Sequence, residues 1–526
     1  MVTSKNQSYS PIKIQKKDNH IEYLNNNNNR EEVLNLNSYT RVGDFYQHAV
    51  LFITGSTGFV GKALVEKLLR SCEGIQTIYV LIRPKRGLLV DQRLKELLKN
   101  PVFDRIRTKN PEYFNKIKAV SGDVTQKDLG LSATDKKIIT SSVTVAFHSA
   151  ATVRFNESLK DAIILNTLGT QRVVELCREM VNLKSFVHVS TAYSNADKRE
   201  IQETVYTPVH DPRVILECIE SLPNDVVSVI SEKIKGKHPN TYTLTKAMAE
   251  HIVMEKTGDI PAAIVRPSIV TAAWKEPFPG WIDNISGITG IMMEIGRGTI
   301  RSIICDETLT MDLIPVDIVV NTIITAAWQT AFNRSNTMRV YNCTSGQLNG
   351  VSWAEFGEMT KKYAIMNPTK YVTFYPGFTY RTNRIVHKFC EIFCHMIPAF
   401  VLDILLRVQG GKPIMLKIAK KFKAAAKTGE FFALNEWHFH TKNIKSLIYD
   451  LRTHTSDHEE FECDITNGFE WDPYVKSYML GIRKYVLKDD IDSLPNARKR
   501  LQRLYWAHKV TQVLSVYFFL RFIFLR

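Results

Sequence analysis

One short stretch constrains the fold of this chain more than any other, the sequence LFITGSTGFVGK at Leu51–Lys62. An apolar run typical of a buried strand leads into Gly55, Gly58 and Gly61, and a segment with helical spacing follows at once. Glycine lets the backbone approach a pyrophosphate closely, and the N-terminus of the following helix then faces the anion. The pattern predicts a dinucleotide-binding strand–turn–helix, and the alternative is a tight turn without a ligand.

Short apolar runs separated by helical stretches continue to about residue 365. The runs that are typical of buried strands are AVLFIT, TIYVLI, KIKAV, VTVAFHSA, SFVHVS and PAAIVRP, with a less regular portion after Arg266. Segments between them, such as Lys62–Ser71 and Asn166–Val181, have the spacing of helices. Strands that alternate with helices predict βαβ units. We therefore expect an α/β fold with a doubly wound, Rossmann-type parallel sheet over residues 45–365.

The end of the second predicted strand indicates which dinucleotide would bind. An NAD-binding chain usually has an acidic residue there for the ribose 2′-hydroxyl, whereas this chain has Arg83, followed by Lys85 and Arg86. A guanidinium offers a planar fork of donors to a 2′-phosphate, so NADPH is the predicted cofactor. For Lys85 and Arg86 alone, a solvated loop is the alternative. Asp123 and Val124 follow the third strand, where Asp123 is either a contact to the adenine edge or a turn residue.

A tyrosine and a lysine four residues apart form the candidate catalytic pair. Tyr242 and Lys246 in YTLTK share one face of a helix. We expect the nearby ammonium to lower the pKa of the Tyr242 phenol towards neutrality, which suits proton donation to a carbonyl oxygen that receives hydride. The sequence HVSTAYSN supplies a hydroxyl to hold that oxygen, from Ser190 or Thr191.

Histidines and cysteines give no sign of a metal site. His148 and His188 lie near predicted strands and are interpreted as packed or cofactor-adjacent rather than catalytic. His438 and His440 are two residues apart, but no further ligand cluster accompanies them, so no metal is predicted. The 8 cysteines include no C-x-x-C pair, which favours a reducing compartment. None of them adjoins the Ser/Thr, Tyr and Lys set, which argues against a covalent thioester intermediate.

The net charge of +16 is concentrated in the last third of the chain. Residues 370–526 contain 25 Lys and Arg against 15 Asp and Glu. No aromatic-and-basic RNA motif accompanies this region, so nucleic acid is not a predicted partner. The apolar stretches nearby favour an anionic membrane or lipid-droplet surface instead.

Two apolar segments lie in this basic region. Arg384–Val408 is interrupted by ionisable residues, which favours a helix packed on the body or lying in the membrane interface over a simple span. Residues 505–526 form an apolar tail, from which a membrane-associating helix is predicted and a docked C-terminal helix is the alternative. Its fifteen residues from Val510 to Phe524 would cover about 22 Å, less than a hydrocarbon core of about 30 Å. Tyr505 and Lys509 repeat the Y-x-x-x-K spacing there and are interpreted as an interfacial anchor.

The first 44 residues are polar and include the run Asn25–Asn29. This arm, residues 1–44, is predicted to be disordered. It contains no apolar region of the kind found in secretory signals, so we expect the body of the protein to face the cytosol.

The motifs TGSTGFVGK, HVSTAYSN, GKHPNTYTLTKAMAE, RPSIV and KEPFPGWIDNISG closely resemble those of the fatty acyl-coenzyme A reductases. These are extended short-chain dehydrogenase/reductases with an appended male-sterility domain, which GGKP, WHFHTKN and FEWDPYVKSYMLGIRKYVLKDD resemble. The resemblance covers about residues 45–490 and excludes the N-terminal arm. It implies an NADPH-binding catalytic domain at 45–365 and a mainly helical C-terminal domain at 371–490.

The resemblance also implies roles for individual residues. Tyr242 would be the proton donor, Lys246 would bind the nicotinamide ribose and tune Tyr242, and Thr191, in preference to Ser190, would orient the carbonyl. An aromatic loop at 274–281 would border the acyl site, with ordinary loop packing as the alternative. The implied cofactor contacts are Gly55, Ser56, Thr57, Gly58, Phe59, Val60 and Gly61 at the pyrophosphate, Ser149 and Ala150 beside the nicotinamide, and Pro267, Ser268 and Ile269 closing around it.

The activity implied is reduction of a long-chain fatty acyl-CoA to a primary alcohol, with release of CoA and use of two NADPH. A cytosol-facing enzyme attached to a membrane is expected, with the endoplasmic reticulum preferred over peroxisomes and lipid droplets. One alternative is a single-step carbonyl or sterol reductase, which the appended domain and KEPFPGW disfavour. The other is a non-catalytic lipid-binding protein, which the intact glycines, Tyr242 and Lys246 disfavour.

Overall fold

The computed structural model of the protein describes residues 40–85, 87–333 and 337–524. Most of the predicted disordered arm and the predicted loop residue Arg86 therefore lie outside the described residues. The strands are β1 (Val50–Thr54), β2 (Thr77–Ile82), β3 (Ile117–Ser121), β4 (Val145–His148), β5 (Ser185–Val189), β6 (Glu200–Ile201), β7 (Ala262–Pro267), β8 (Ile269–Thr271), β9 (Ser302–Ile304), β10 (Thr310–Met311), β11 (Leu313–Pro315), β12 (Arg339–Cys343), β13 (Val351–Ser352), β14 (Thr379–Arg381) and β15 (His438–Phe439).

Helices connect and cover these strands. The α-helices are α1 (Val42–Phe45), α2 (Phe59–Ser71), α3 (Val90–Leu98), α4 (Asp104–Lys109), α5 (Ala133–Ser142), α6 (Leu159–Ala162), α7 (Gly169–Glu179), α8 (Pro212–Ser221), α9 (Asn224–Lys235), α10 (Thr241–Lys256), α11 (Ile288–Arg297), α12 (Val316–Phe332), α13 (Trp353–Met366), α14 (Arg384–Cys390), α15 (Ile397–Val408), α16 (Met415–Ala433), α17 (Lys442–His454), α18 (Trp471–Gly481) and α19 (Leu494–Phe524). Short 3-10 turns lie at Pro101–Phe103, Pro111–Lys116, Lys127–Gly130, Ala192–Asn195 and Ile491–Ser493, and π-helical turns at Ile163–Leu168, Glu391–Met396 and Ile482–Val486.

Seven strands form one parallel sheet in the order β12-β7-β5-β4-β1-β2-β3. Ile53 belongs to a core shared with α2 and α12, and Phe52 to a core shared with α5 and α7, so both faces of the sheet are covered. This arrangement confirms the predicted Rossmann-type fold. The apolar runs predicted its strands because strands buried on both faces have continuous apolar sequences. The last strand, β12, was not predicted, because its sequence RVYNC lies in the portion interpreted as less regular.

Strands β1 and β4 are parallel neighbours in the sheet, and β1 also pairs in parallel with β2. From β1 the chain adds strands in one direction across the sheet, and from β4 it adds them in the other. In such sheets ligands bind in the crevice beyond the carboxyl ends of the two strands where the order reverses. Gly55 follows β1 and Ser149 follows β4, so the predicted pyrophosphate and nicotinamide segments lie side by side at this crevice.

The region after β13 packs against the segments that follow β5 and β7 in the chain. Strand β14 pairs with β9 and β15 pairs with β6, and the Tyr474 hydroxyl on α18 donates to the Ala272 carbonyl at 2.7 Å. At Gly280 and Gly481 the two backbones touch, since a Cβ added at Gly481 would lie 1.7 Å from the Gly280 oxygen. The region is mainly helical, as expected, while its predicted boundaries at 371 and 490 stay predictions.

A helical hairpin projects from this region. Helices α14 and α15 form one continuous stretch, Arg384–Val408, and an 18-residue window within it has a mean hydropathy of 1.9. By length and composition, it is the one helix in the described chain that could cross a membrane. Helix α16 returns alongside it, with Lys423 2.9 Å from Glu391. The tail predicted to associate with membranes is the end of α19, where the described apolar side chains beyond Val510 are exposed.

Candidate active site

The glycine turn after β1 is closed by two backbone contacts. Gly55 has a φ of +77°, and a Cβ added there would lie 2.6 Å from the Ala150 nitrogen. A Cβ added at Gly61 would lie 2.2 Å from the Gly55 carbonyl oxygen. Both positions therefore require glycine. Gly58 is the N-cap of α2, and among the described residues no side chain caps the first turn that begins at Phe59.

The surroundings of this turn fit a dinucleotide phosphate. The Ser56 hydroxyl is buried without a hydrogen-bond partner among the described residues, so it and the first-turn N–H groups form a cradle of donors. On the opposite side, the Ser149 hydroxyl donates to the Thr54 carbonyl at 3.0 Å and the Ala150 N–H to the Thr54 hydroxyl at 3.3 Å.

The remaining predicted residues of the turn differ in exposure. Thr57 is exposed, and Val60 is half-buried. The Phe59 ring stacks on Trp281, with ring centroids 5.1 Å apart. Trp281 is fully buried there, and Trp274 packs on Phe469. The structure thus places these aromatic residues in the core, which favours the loop-packing interpretation.

The predicted 2′-phosphate residue lies just beyond β2. Arg83 has half of its side chain exposed, and its guanidinium lies 3.6 Å from the Asp123 carboxylate. Asp123 also accepts hydrogen bonds from the Thr125 amide at 3.0 Å and from its hydroxyl at 2.9 Å, so it is a turn residue as well. Val124 is buried against Gly169.

Helix α10 presents the candidate catalytic pair. The side chain of Asn240 caps its first turn by accepting from the Thr243 N–H at 2.9 Å, which fixes where the helix begins. Tyr242 and Lys246 follow one turn apart. The side chain of Thr191, which lies just after β5, faces the Tyr242 hydroxyl and acts to lower its pKa. The Lys246 ammonium donates to the Val189 carbonyl at 2.8 Å.

The neighbouring hydroxyl of Ser190 is used elsewhere. It donates to the Glu250 carboxylate, which also accepts two hydrogen bonds from the Arg266 guanidinium, at 2.9 and 2.7 Å. All three side chains are buried. The geometry therefore favours Thr191 over Ser190 as the hydroxyl beside Tyr242, which sequence alone left open.

Burial controls protonation in this site. It raises the pKa of Tyr242 to about 12, against a smaller lowering by the Thr191 hydrogen bond. Burial lowers the pKa of Lys246 to about 8, opposed by the carboxylate of Glu250. The expected lowering of the Tyr242 pKa is wrong for this structure, because burial disfavours the phenolate and the ammonium is directed at Val189. Tyr242 is thus a protonated donor at neutral pH.

The two histidines near these strands are packed. His148 bonds to the hydroxyls of Thr54 at 2.7 Å and Thr170 at 3.0 Å, and burial lowers its pKa to about 3. The His188 ring lies 5.2 Å from it, and burial lowers its pKa too. Both are neutral at physiological pH, so neither is suited to proton transfer there.

The predicted nicotinamide-closing segment follows β7. Pro267 ends the strand, the Ser268 N–H donates to the Cys343 carbonyl at 3.1 Å, and the Ile269 N–H donates to the Asp312 carbonyl at 3.2 Å. These contacts fix the segment between β12 and β11. Ile269 also lines a pocket together with Tyr193, Thr310, Met311, Asp312, Gly346, Gln347, Trp353, Phe432, Asn435, Glu436, Trp437 and Phe439.

Sequence reasoning missed three side chains at the site. Phe155 stacks on Tyr242 with centroids 5.8 Å apart, and Phe432 lies 5.5 Å from Phe155. Asn166, in a π-helical turn, accepts from the Thr152 amide at 2.8 Å and donates to the Thr245 hydroxyl at 3.0 Å. Periodicity cannot reveal an aromatic contact between distant segments, and a π-helical turn has no spacing signal of its own.

Comparisons with known proteins agree with this geometry. An NAD-binding profile described as "Male sterility protein" matches residues 53–323, and a second profile with that description matches residues 394–489. The chain is 40% identical over 463 residues to "Fatty acyl-CoA reductase 1" of Rattus norvegicus and of Homo sapiens, covering 88% of this chain and 89% of each relative. It is 36% identical over the same length to "Fatty acyl-CoA reductase 2" of Bos taurus.

Solved structures share the fold. The reductase domain of a non-ribosomal peptide synthetase from Mycobacterium tuberculosis has a TM-score of 0.56 at 16% identity, covering 84% of this chain and 93% of that one. The terminal reductase domain of the myxalamid pathway has a TM-score of 0.55 at 18% identity, covering 83% and 91%. With both male sterility profiles matched and 40% identity to curated relatives over 88% of its length, the chain belongs to the fatty acyl-CoA reductase family.

Proposed function

We propose that this protein reduces a long-chain fatty acyl-CoA to the primary alcohol with NADPH as electron donor. The observation that carries the proposal is the placement of Tyr242 and the buried Lys246 one helical turn apart on α10, with the Thr191 side chain facing the Tyr242 hydroxyl. A protonated phenol and a second hydroxyl directed at one point suit a carbonyl oxygen on which negative charge develops. Relatives named fatty acyl-CoA reductase supply the substrate class.

The chemistry requires two reductions. NADPH, when bound, supplies a hydride for each. In the first, the thioester carbonyl carbon gains hydride, the carbon–sulfur bond breaks and CoA leaves as the thiolate, giving the aldehyde. In the second, the aldehyde carbon gains hydride and its oxygen gains a proton. One acyl-CoA, two NADPH and two protons thus give one alcohol, one CoA thiol and two NADP⁺.

Each side chain has a separate task in this scheme. Thr191 holds the carbonyl oxygen, and Tyr242 stabilises and protonates it, because its pKa of about 12 keeps the proton available at neutral pH. Lys246 would bind the nicotinamide ribose; its pKa of about 8 leaves it mostly charged at pH 7. Gly55, Gly61 and the first turn of α2 would hold the pyrophosphate.

The preference for NADPH rests on Arg83. Its position just beyond β2 is where chains that bind NAD have an acidic residue, and half of its guanidinium side chain is exposed to a ligand. Asp123 at 3.6 Å holds the guanidinium near the crevice without enclosing it.

Membrane attachment is the second part of the proposal, and the helical hairpin supports an interfacial mode. Arg384–Val408 exposes apolar residues along its length, but α16 packs beside it and carries Lys417 and Lys420. The Asp403 carboxylate accepts hydrogen bonds from the first N–H groups of α16, so the two helices enter a lipid layer together. Lysines fit the headgroup region better than the hydrocarbon, which favours a hairpin lying in a cytosolic leaflet. The endoplasmic reticulum remains our preferred membrane.

Product analysis tests the reaction. The full chain in detergent micelles would receive palmitoyl-CoA and NADPH deuterated at the hydride position, and products would be measured by mass spectrometry. We expect an alcohol with two deuterium atoms on its terminal carbon, and loss of that product in Tyr242→Phe. Tyr505→Phe is the matched control, because it removes a phenol from the same Y-x-x-x-K spacing outside the site. Aldehyde alone would limit the reaction to one reduction. Neither product despite NADPH binding would overturn the acyl-CoA assignment.

A further inference from the structure

Three charged side chains are buried together around the end of β5. Lys246 and Glu250 lie one turn apart on α10 and are 2% and 1% exposed, and Arg266 near the end of β7 is fully buried. The register of the parallel sheet pairs Val189 with Val265, so the carbonyl that accepts from Lys246 lies beside the strand that carries Arg266. A buried charge costs free energy unless an opposite charge or a dipole compensates it.

Arg266 and Glu250 form a direct ion pair. The guanidinium donates to both carboxylate oxygens, at 2.9 and 2.7 Å, which is the two-pronged geometry of strong arginine–carboxylate pairs. It also donates to the Gln202 and Thr204 carbonyls, at 2.9 and 2.7 Å. Backbone dipoles thus compensate part of the arginine charge, which leaves the carboxylate able to act on a second cation.

The second cation is Lys246, whose direct compensation is weaker. In the part of the chain that the structure describes, its ammonium has one hydrogen-bond acceptor, the Val189 carbonyl at 2.8 Å. A single neutral carbonyl does not replace the water that a buried ammonium loses. Glu250 follows on the same face of α10, because residues four apart on a helix are neighbours. Burial lowers the pKa of Lys246 to about 8, and the Glu250 carboxylate opposes that lowering.

The other ionisable groups around Lys246 carry no charge. His148 on β4 and His188 on β5 both interact with it, but burial, and then the charge of Lys246, lowers the pKa of each, so both are neutral. Tyr242 on α10 and Tyr193 in the turn after β5 keep their protons, because burial raises their pKa. The π-helical turn before α7 contains no ionisable residue.

The charged residues of the helices that pack on α10 are used elsewhere. Glu175 of α7 lies 3.6 Å from Lys256, the last residue of α10. Asp211, which caps α8, interacts with His251, beyond Glu250 in the chain. The ammonium of Lys160 in α6 donates to a backbone carbonyl at the end of α8, at 3.2 Å. Glu250 is therefore the carboxylate that acts on Lys246.

We propose that Glu250 is a positioning residue of the reaction, which keeps Lys246 in its ammonium form, and that Arg266 holds the Glu250 carboxylate in place for this task. The inference rests on the proposed function, in which Lys246 binds the nicotinamide ribose. The ammonium can donate to the ribose hydroxyls while it donates to Val189, whereas the amine has one donor fewer and no charge. Glu250 acts through Lys246 and does not touch the substrate.

The test follows two quantities from about pH 6 to about pH 10, a range that brackets the Lys246 pKa of about 8. They are kcat with palmitoyl-CoA and the Kd for NADPH, measured by fluorescence. In Glu250→Gln, Arg266 becomes an unpaired cation close to Lys246. We therefore expect the midpoint of the alkaline loss in both quantities to fall by at least about one pH unit.

Two further variants show whether the charge is the cause. Glu250→Asp keeps a carboxylate, so its midpoint should return towards that of wild type. Glu255→Gln is the matched control, because it removes a carboxylate from the last turn of the same helix, where Glu255 lies 3.1 Å from His251. Its midpoint should equal that of wild type.

A double variant covers the case in which Glu250→Gln does not fold. Uncharged residues of similar size often replace a buried ion pair without loss of stability, so Glu250→Gln would be combined with Arg266→Met. Its midpoint should lie below that of wild type, since the carboxylate is gone, and above that of Glu250→Gln, since the repulsion from Arg266 is gone too.

A residue that only supports the fold would lower the rate equally at every pH. A wild-type midpoint in Glu250→Gln, or in the double variant if that is the one that folds, would therefore overturn the inference, as would a midpoint that moves to higher pH. If the wild-type protein binds NADPH but does not reduce palmitoyl-CoA, the proposed function is wrong. The pH dependence of the NADPH affinity in the same variants would then still decide the role of Glu250.

Discussion

The hydroxyl of Ser190 donates a hydrogen bond to the buried carboxylate of Glu250, and this contact uses its one donor. Arg266 neutralises that carboxylate with two further hydrogen bonds. The next residue, Thr191, joins Tyr242 instead. Two adjacent hydroxyls in one motif therefore have different tasks, one in holding α10 to the sheet and one in the site.

Substitution of these two residues should separate the tasks. Thr191→Val is expected to lower the rate of alcohol formation about 100-fold, since it removes a hydroxyl that holds the reacting oxygen. Ser190→Ala should keep most of the rate but lower the free energy of unfolding by about 1–2 kcal/mol, because Glu250 loses one buried donor. Rates with palmitoyl-CoA and urea unfolding curves would measure both. A rate loss confined to Ser190→Ala would reverse the assignment.

Alanine at Gly61 should abolish the dinucleotide site. Its Cβ would lie 2.2 Å from the Gly55 oxygen, so the turn must open and its N–H groups must move. We expect the Kd for NADPH, measured by fluorescence, to rise at least about tenfold, which corresponds to roughly 1.4 kcal/mol of lost binding free energy. Gly58→Ala is the control, and it should weaken NADPH binding less than Gly61→Ala does. Its Cβ would lie 3.2 Å from the same oxygen, and its φ of −79° is ordinary. Equal NADPH affinity in Gly61→Ala and wild type would disprove the assignment of this turn.

The sequence predicted those parts of the fold and site that depend on local spacing. The strand–turn–helix at Gly55, the i, i+4 pair Tyr242 and Lys246, and six of the strands in the parallel sheet follow from periodicity and short motifs. Tertiary contacts decided the rest. The choice between Ser190 and Thr191 depends on Glu250, a residue 60 positions along the chain from Ser190.

The missed features share a physical cause. Local pattern gives no measure of burial at the end of a helix, so the expected shift of the Tyr242 pKa had the wrong sign. Nor does it show which distant aromatic residues meet, as Phe155 and Phe432 do. Nor does it show that charges in Arg384–Val408 have partners on other elements, such as Lys423 for Glu391.

The pH dependence of the reaction should follow Lys246. Its pKa is lowered to about 8, so the ammonium is lost as pH rises through that value, whereas Tyr242 keeps its proton up to about pH 12. We expect the rate at saturating palmitoyl-CoA to be flat below about pH 8 and to fall towards tenfold per pH unit above it. Lys246→Arg keeps a positive charge at high pH, so its profile should lose this decline even if its rate is low. A rate that rises between about pH 7 and about pH 9 would mean that the neutral amine is the active form.

Arg83 should control the choice between NADPH and NADH. Arg83→Ala removes the guanidinium that would bind the 2′-phosphate, so the KM for NADPH should rise about tenfold or more while the KM for NADH stays within about twofold. Lys85→Ala, on the same segment, is the control and should change both values little. Steady-state rates with each cofactor would measure this. An equal loss with both cofactors would show that Arg83 supports the fold and does not read the phosphate.

Membrane binding should depend on the hairpin more than on the C-terminal tail. Phe389, Phe393 and Phe400 are 60%, 60% and 55% exposed, and their replacement by serine removes apolar area that a lipid layer would bury. The affinity of the full chain for vesicles of phosphatidylcholine and phosphatidylserine, measured by cosedimentation, should fall at least about tenfold in this variant. Each ring contributes about 1 kcal/mol or more to membrane binding. A matched variant with serine at Val513, Val516 and Phe518 tests the tail, where a smaller loss is expected.

Raising the salt concentration should weaken wild-type binding in part, because lysines of α16 meet the anionic headgroups while the apolar contacts persist. If the hairpin variant binds vesicles like wild type and the tail variant does not, the tail of α19 is the anchor and the hairpin is not.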